Sequence, residues 1–164
     1  MSLLTSLEQS GFSVWVRESR SLLAFPGILL LHTYGMALLV GVVFAIDLRI
    51  LGFAPALPLT AIGRFLPILW VAFWVNAVTG TMLLVADATN KTTNPDFIIK
   101  MVLIVLAVVT QRMIERRIMR APAVDTTPFS SSARLLAVAS LVCWIGAITA
   151  GRLLAYVGQA VGPK

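Results

Sequence analysis

One histidine, His32, is the residue in this 164-residue chain most able to do chemistry. It falls inside a long apolar run, seven residues after Phe25, which puts it about 10 Å along a helix that starts there. Polar side chains at membrane depth are costly and tend to be functional. An imidazole there can ligate haem or copper, relay a proton, or simply bond a neighbouring hydroxyl or carbonyl. Other polar and soft side chains lie at a comparable depth on three further apolar runs. Asn76, Thr79 and Met82 belong to the second, Lys100 and Met101 to the third, and Thr149 and Arg152 to the fourth. The spacing predicts a polar cluster on one side of the bilayer, with no equivalent on the other.

Haem b is the most economical occupant of such a cluster. His32 would be an axial ligand, Met82 or Met101 a second, and Lys100 and Arg152 would neutralise the propionates, with Asn76 nearby. Met36 is four residues from His32 and shares its helix face, so the two cannot clamp opposite faces of one haem. Copper is the alternative metal, because Cu(I) favours thioether and imidazole donors and His32 with Met36 supplies both. Each residue also has a plainer reading. Lys100 and Arg152 can snorkel to headgroups, Asn76 and the threonines can link helices, and methionines fill gaps. Cys143, the single cysteine, excludes an internal disulfide, a cysteine zinc site and an iron–sulfur cluster, and reads as a packing residue.

The elements that must position these residues follow from composition. Hydrophobic residues make up 59% of the chain and charged residues 12%, against about 25% charged in soluble domains. The excess is concentrated in four runs, predicting an all-α, polytopic bundle of four transmembrane helices over about 25–46, 65–85, 97–118 and 133–154. Residues 22–164 form that domain. Residues 1–21 lack the basic start of a cleaved signal and predict an interfacial amphipathic helix with Trp15 at headgroup level.

Pro26 suits the first turn of its helix, Thr60 can cap the second and Pro67 can bend it near its start, and Asn94-Pro95 makes a strong start for the third. Asp47 and Arg49 mark the exit of the first span, and Asp87 to Asn94 reads as a polar turn. The apolar part of the third helix ends near Val109, and Gln111, Arg112, Glu115, Arg116, Arg117 and Arg120 carry it on into water. Pro122 and Pro128 bracket the loop before the fourth span. Asp47 and Arg49 have Arg64, Arg112 and Glu115 as candidate partners. Small residues at four-residue spacing (Thr33, Ala37 and Gly41; Ala72, Asn76 and Gly80; Gly146 and Ala150) predict close helix packing.

The net charge of +6 does not indicate nucleic acid, because the basic residues sit at the ends of apolar runs, where lipid headgroups and topology account for them. Arg112, Arg116, Arg117, Arg120 and Arg134 flank one loop and assign it to the cytoplasm, leaving both termini periplasmic in a bacterial inner membrane. No catalytic triad, paired-carboxylate site or phosphate loop is present, so a catalytic activity of its own is not expected.

The run Phe25-Pro26-Gly27, Leu31-His32, Gly35, Gly41 and Asp47-Leu48-Arg49-Ile50-Leu51-Gly52, with Trp144, Gly151-Arg152 and Tyr156 near the end, resembles an uncharacterised family of small bacterial four-helix membrane proteins. That family is distantly similar to the membrane domain of copper-resistance D proteins. The resemblance implies a four-helix membrane fold and adds weight to copper. The three roles that follow are a membrane subunit holding haem b for electron transfer, a copper-handling protein, and a cofactor-free scaffold. The expected partners are lipid, a second copy, or other membrane or periplasmic subunits.

Overall fold

The computed structural model describes residues 3–53, 55–92, 94–120 and 129–160, and the side chains of Leu3, Asn90 and 155–160 are not among what it describes. The loop bracketed by Pro122 and Pro128 and the side chain of Tyr156 therefore lie outside the described residues. Everything regular within them is helical: α1 (Leu3–Glu8), α2 (Gly11–Glu18), α3 (Phe25–Leu51), α4 (Leu59–Gly63), α5 (Leu66–Val85), α6 (Ala88–Thr92), α7 (Pro95–Ile114) and α8 (Ser131–Ala160). A π-helical turn over Glu115–Met119 prolongs α7. Four helices are long and apolar enough to cross a membrane: Phe25–Leu51, Leu66–Val85, Pro95–Met119 and Ser131–Leu154. Twenty helical residues span about 30 Å, the thickness of the hydrocarbon layer. Large apolar side chains such as Leu30, Trp74, Val105 and Leu135 point outward, a surface that lipid covers and water would not. The chain is a multi-pass membrane protein.

Local chemistry sets the helix ends. Pro26, Pro67 and Pro95 each occupy a first turn, where no amide hydrogen is needed. Asn94 accepts a hydrogen bond from the Asp96 amide at 2.8 Å, and Ser130 accepts one from the Ala133 amide at 3.3 Å. Gly52 closes α3 with φ 102°, and the Phe53 amide returns to the Leu48 carbonyl at 2.9 Å.

Three expectations change. Thr60 caps nothing of the second span, because it lies within the separate helix α4, capped at Pro58, and Leu66–Val85 begins afresh with Pro67 in its first turn. The polar turn after α5 contains α6. The N-terminal segment is two short helices broken before Ser10, whose side chain caps α2. Ser13 and Val16 of α2 are buried, while Phe12 and Trp15 stay exposed. The Arg17 guanidinium donates to the Ala86 carbonyl at 2.6 Å, the Ser13 hydroxyl, which donates to the Leu7 carbonyl at 2.7 Å, lies 3.2 Å from the Val85 carbonyl, and Thr89 bonds Glu8. The N-terminal segment is thus strapped across the end of α5.

The spans pack as a row, with α5 on α3, α3 on α8, and α8 on α7. Close contact at small residues holds it: Gly35 lies against the Ala72 carbonyl, and Gly146 against Leu103. The helices at the two ends of the row meet at the face carrying α4, where Arg112 stacks on Trp70 with 3.5 Å to the ring centroid. Among the described residues α5 and α7 share little close backbone packing, so the four spans form a row with α3 and α8 at its centre. The face bearing α1, α2 and α6 is called the terminal face below, and the one bearing α4 and the π-turn the loop face. The core runs from Leu39, Val43, Ile46 and Ile50 of α3 through Leu69, Ala107 and Ala137 to Ile114 and Ile118, with Leu59 and Ile62 of α4 folded over it.

Candidate functional site

His32 faces α5. Its Nδ1 lies 3.0 Å from the Thr79 hydroxyl, and the Asn76 backbone carbonyl stands beside the same ring. The hydroxyl hydrogen of Thr79 is already spent on the Val75 carbonyl at 2.7 Å. With that hydrogen on a helix carbonyl the Thr79 oxygen accepts, the assignment that places the imidazole hydrogen on Nδ1 and leaves Nε2 for a ligand. Metal-binding histidines are commonly fixed in this way, with the second nitrogen donating to a protein oxygen. The ring fits because position 80 is glycine: a Cβ there would sit 3.1 Å from the imidazole Cε1.

Lys100 reaches the same region from α7 and brings its positive charge alongside the imidazole. Its stem passes over Gly151 of α8, with Cε and Nζ each 3.4 Å from where a Cβ would be. The ammonium has no carboxylate partner among the described residues. Lys91 is the nearest other cation, and it is committed to the Leu83 carbonyl at 2.8 Å and to Asp87 at 3.8 Å. Burial holds the Lys91 amine below the usual lysine range, with Asp87 offsetting part of that shift.

The expected cluster converges in part. His32, Thr79, Asn76 and Lys100 come together from three helices, and Met36 is half-buried one turn along α3 from His32. Met101 and Arg152 do not join them. Met101 is 43% exposed on the outside of α7, and Arg152 is exposed on α8. Met82 packs with Val16, Ile28 and Ala86 and lines a surface groove with Trp74, Ala77, Val78 and Thr81. Met82 is three residues past Thr79, about 60° around α5, and its contact with Ile28 places it one turn from His32 along the α3–α5 seam. Thr149 spends its hydroxyl on the Ile145 carbonyl.

The half near the loop face also overturns an expectation, since it too holds a polar cluster. Asp47 and Gln111, read as the points where their helices leave the apolar layer, are 0% and 1% exposed, and Ser140 of α8 is 0% exposed. Burial arises because α3 continues to Leu51, α4 folds back over it, and Ile114 and Ile118 extend the packed face of α7. Asp47 takes none of its expected partners. Glu115 pairs with Arg112 at 3.1 Å and Arg120 at 3.2 Å, while Arg49 donates to the Leu57 carbonyl at 2.5 Å and lies over the Phe129 ring. A serine deep within an apolar run gave no sequence signal. Only Asp47, the one carboxylate within the first span's helix, hinted at this layer.

Comparison with protein-family models, curated proteins and solved structures finds no match to this chain.

Proposed function

We propose that the chain is a noncatalytic subunit of a bacterial inner membrane that holds haem b near the terminal face, with its termini periplasmic, and passes electrons to or from a membrane or periplasmic partner. The observation behind this reading is the orientation of His32, whose Nδ1–H is fixed on Thr79 so that Nε2 is left as a donor. Haem b asks for a nitrogen at the iron and a cation at its propionates. His32 would supply the first and Lys100, a cation without a carboxylate partner among the described residues, the second. Met101 and Arg152, both exposed, drop out of the proposed site, which leaves His32 as the ligand with Met82 one turn away along the same seam. Copper is the weaker reading: His32 and Met36 offer Cu(I) suitable donors, but the Lys100 charge beside them repels a cation.

Detergent-solubilised protein expressed with adequate haem supply tests the proposal. A Soret band that shifts on reduction, disappears in His32→Ala and survives in Met101→Leu is the expected result. A colourless preparation with no haem by pyridine extraction rejects it, and tight Cu(I) binding abolished by His32→Ala in that preparation would establish the copper reading instead.

A further inference from the structure

The layer near the loop face brings together Asp47 of α3, Ser140 of α8 and Gln111 of α7. Ser140 faces the Asp47 carboxyl. The pairing of α7 with α8 puts Leu103 on Gly146 and Lys100 on Gly151. Continued along two antiparallel helices, that register sets Gln111 opposite Ser140. All three side chains are buried; the Ser140 hydroxyl is turned toward the Asp47 carboxyl without coming within 3.5 Å in hydrogen-bond geometry, and both carboxyl oxygens, that hydroxyl and both amide atoms of Gln111 are left without a closer partner.

Among the described residues the other buried side-chain polar atoms without a partner are two isolated indole nitrogens, Trp70 Nε1 and Trp144 Nε1. Thr33, Thr79, Thr81, Thr92, Thr110 and Thr149 all donate their hydroxyls to the carbonyl four residues earlier. Ser140, equally helical, does not. Buried polar groups in proteins are nearly always bonded, and an uncompensated buried carboxylate costs several kcal/mol. Among the described residues it forms no ion pair: Arg49 is turned to Leu57 and Phe129, and Arg112 and Arg120 to Glu115.

We infer that Asp47, Ser140 and Gln111 form a binding site for one hard monovalent cation, of which sodium is the probe. The donors fit that class. The Asp47 oxygens, Ser140 Oγ and Gln111 Oε1 are all oxygen, which excludes soft metals. One carboxylate balances one positive charge, so a divalent ion would leave the buried site charged. The π-helical turn begins four residues beyond Gln111 and packs on α4, and such turns recur at functional sites.

The test uses the full chain in detergent micelles. Thermal stability is followed as sodium replaces choline at constant ionic strength, alongside ²³Na line broadening. Saturable stabilisation by sodium, absent in Asp47→Asn and weakened about tenfold in Ser140→Ala, is expected. Ser140→Ala keeps the carboxylate and guards against a folding failure of Asp47→Asn. Sodium and choline giving the same melting curve in the wild-type chain overturns the inference. So does an infrared band of a protonated carboxyl that vanishes in Asp47→Asn yet persists at saturating sodium, since Asp47 then holds a proton instead.

Discussion

Replacing Thr79 with valine removes the hydroxyl that fixes His32 while nearly preserving side-chain volume. Its contacts to the Val75 carbonyl, the more distant Asn76 carbonyl at 3.3 Å and the His32 ring are lost, and they differ in worth. The Thr79 hydroxyl bond to Val75 at 2.7 Å is dispensable, because that carbonyl keeps its helical amide partner. The 3.0 Å contact to His32 matters more, since it leaves an imidazole N–H at the helix seam without its hydroxyl acceptor. A buried donor left wholly unpaired costs about 1–3 kcal/mol. The Asn76 carbonyl stands beside the ring and can take over part of the role, which brings the expected loss to about 1 kcal/mol. Hydrogen bonds between membrane helices measured by double-mutant cycles average about 0.6 kcal/mol and reach about 1.7. The cycle of His32→Ala, Thr79→Val and the double variant should therefore give a coupling of about 0.6–1.5 kcal/mol, with Thr79→Ser close to wild type. Reversible unfolding in mixed micelles of rising denaturing-detergent fraction supplies the free energies. Additivity to within about 0.3 kcal/mol, the behaviour of independent sites, would refute the assignment of Nδ1–H to Thr79.

Two further outcomes follow from packing and charge. Gly35→Ala introduces a Cβ 3.3 Å from the Ala72 carbonyl oxygen, a backbone atom that cannot turn aside, so it should destabilise the α3–α5 pair by about 1–3 kcal/mol in the same unfolding assay; Gly41→Ala, with open space around it, should not. Lys91 titrates below its ordinary value of 10.5 in the folded chain because it is buried. Between the lowered value and 10.5 the unfolded chain holds more protons, so stability should rise with pH through that window, and the penalty is fully present below it. Thermal melts of Lys91→Met should lose this rise relative to wild type.

The four spans were readable because length and hydropathy alone decide them, and Asn94-Pro95 and Pro26 placed two helix starts for local reasons. Orientation was not readable. Apolar residues surround α3 and α5 on every side, since lipid accepts the same side chains as the core, so no stripe marks the face that meets a neighbour. Met101 and Lys100 are adjacent in sequence yet point to lipid and to the interior, and the sequence holds nothing to tell them apart. Gln111 and Asp47 were misjudged for a different reason. Their burial depends on α4 and the π-turn closing over them, a tertiary event in a stretch whose charges read as an exit into water.

The two polar layers stand at opposite ends of one helix. His32 and Asp47 are fifteen residues apart on α3, about 22 Å at helical rise. The buried residues between them are Gly35, Leu39, Val43 and Ile46, which offer no polar side chain. Across the same interval the partner helices contribute Leu69, Ala72, Ala107, Cys143, Trp144 and Ala147 to the buried set, and the Trp144 indole N–H is a donor that can hold neither a cation nor an extra proton. An ion or proton leaving Asp47 toward His32 would cross that apolar packing with no side chain to hold it, and stranding a charge there is far costlier than retaining it. The arrangement argues against a conducting path through the row of helices. The imidazole lies in the half of the row nearer the terminal face and the carboxylate at the loop face where α4 folds over the core, so each layer belongs to its own side of the membrane.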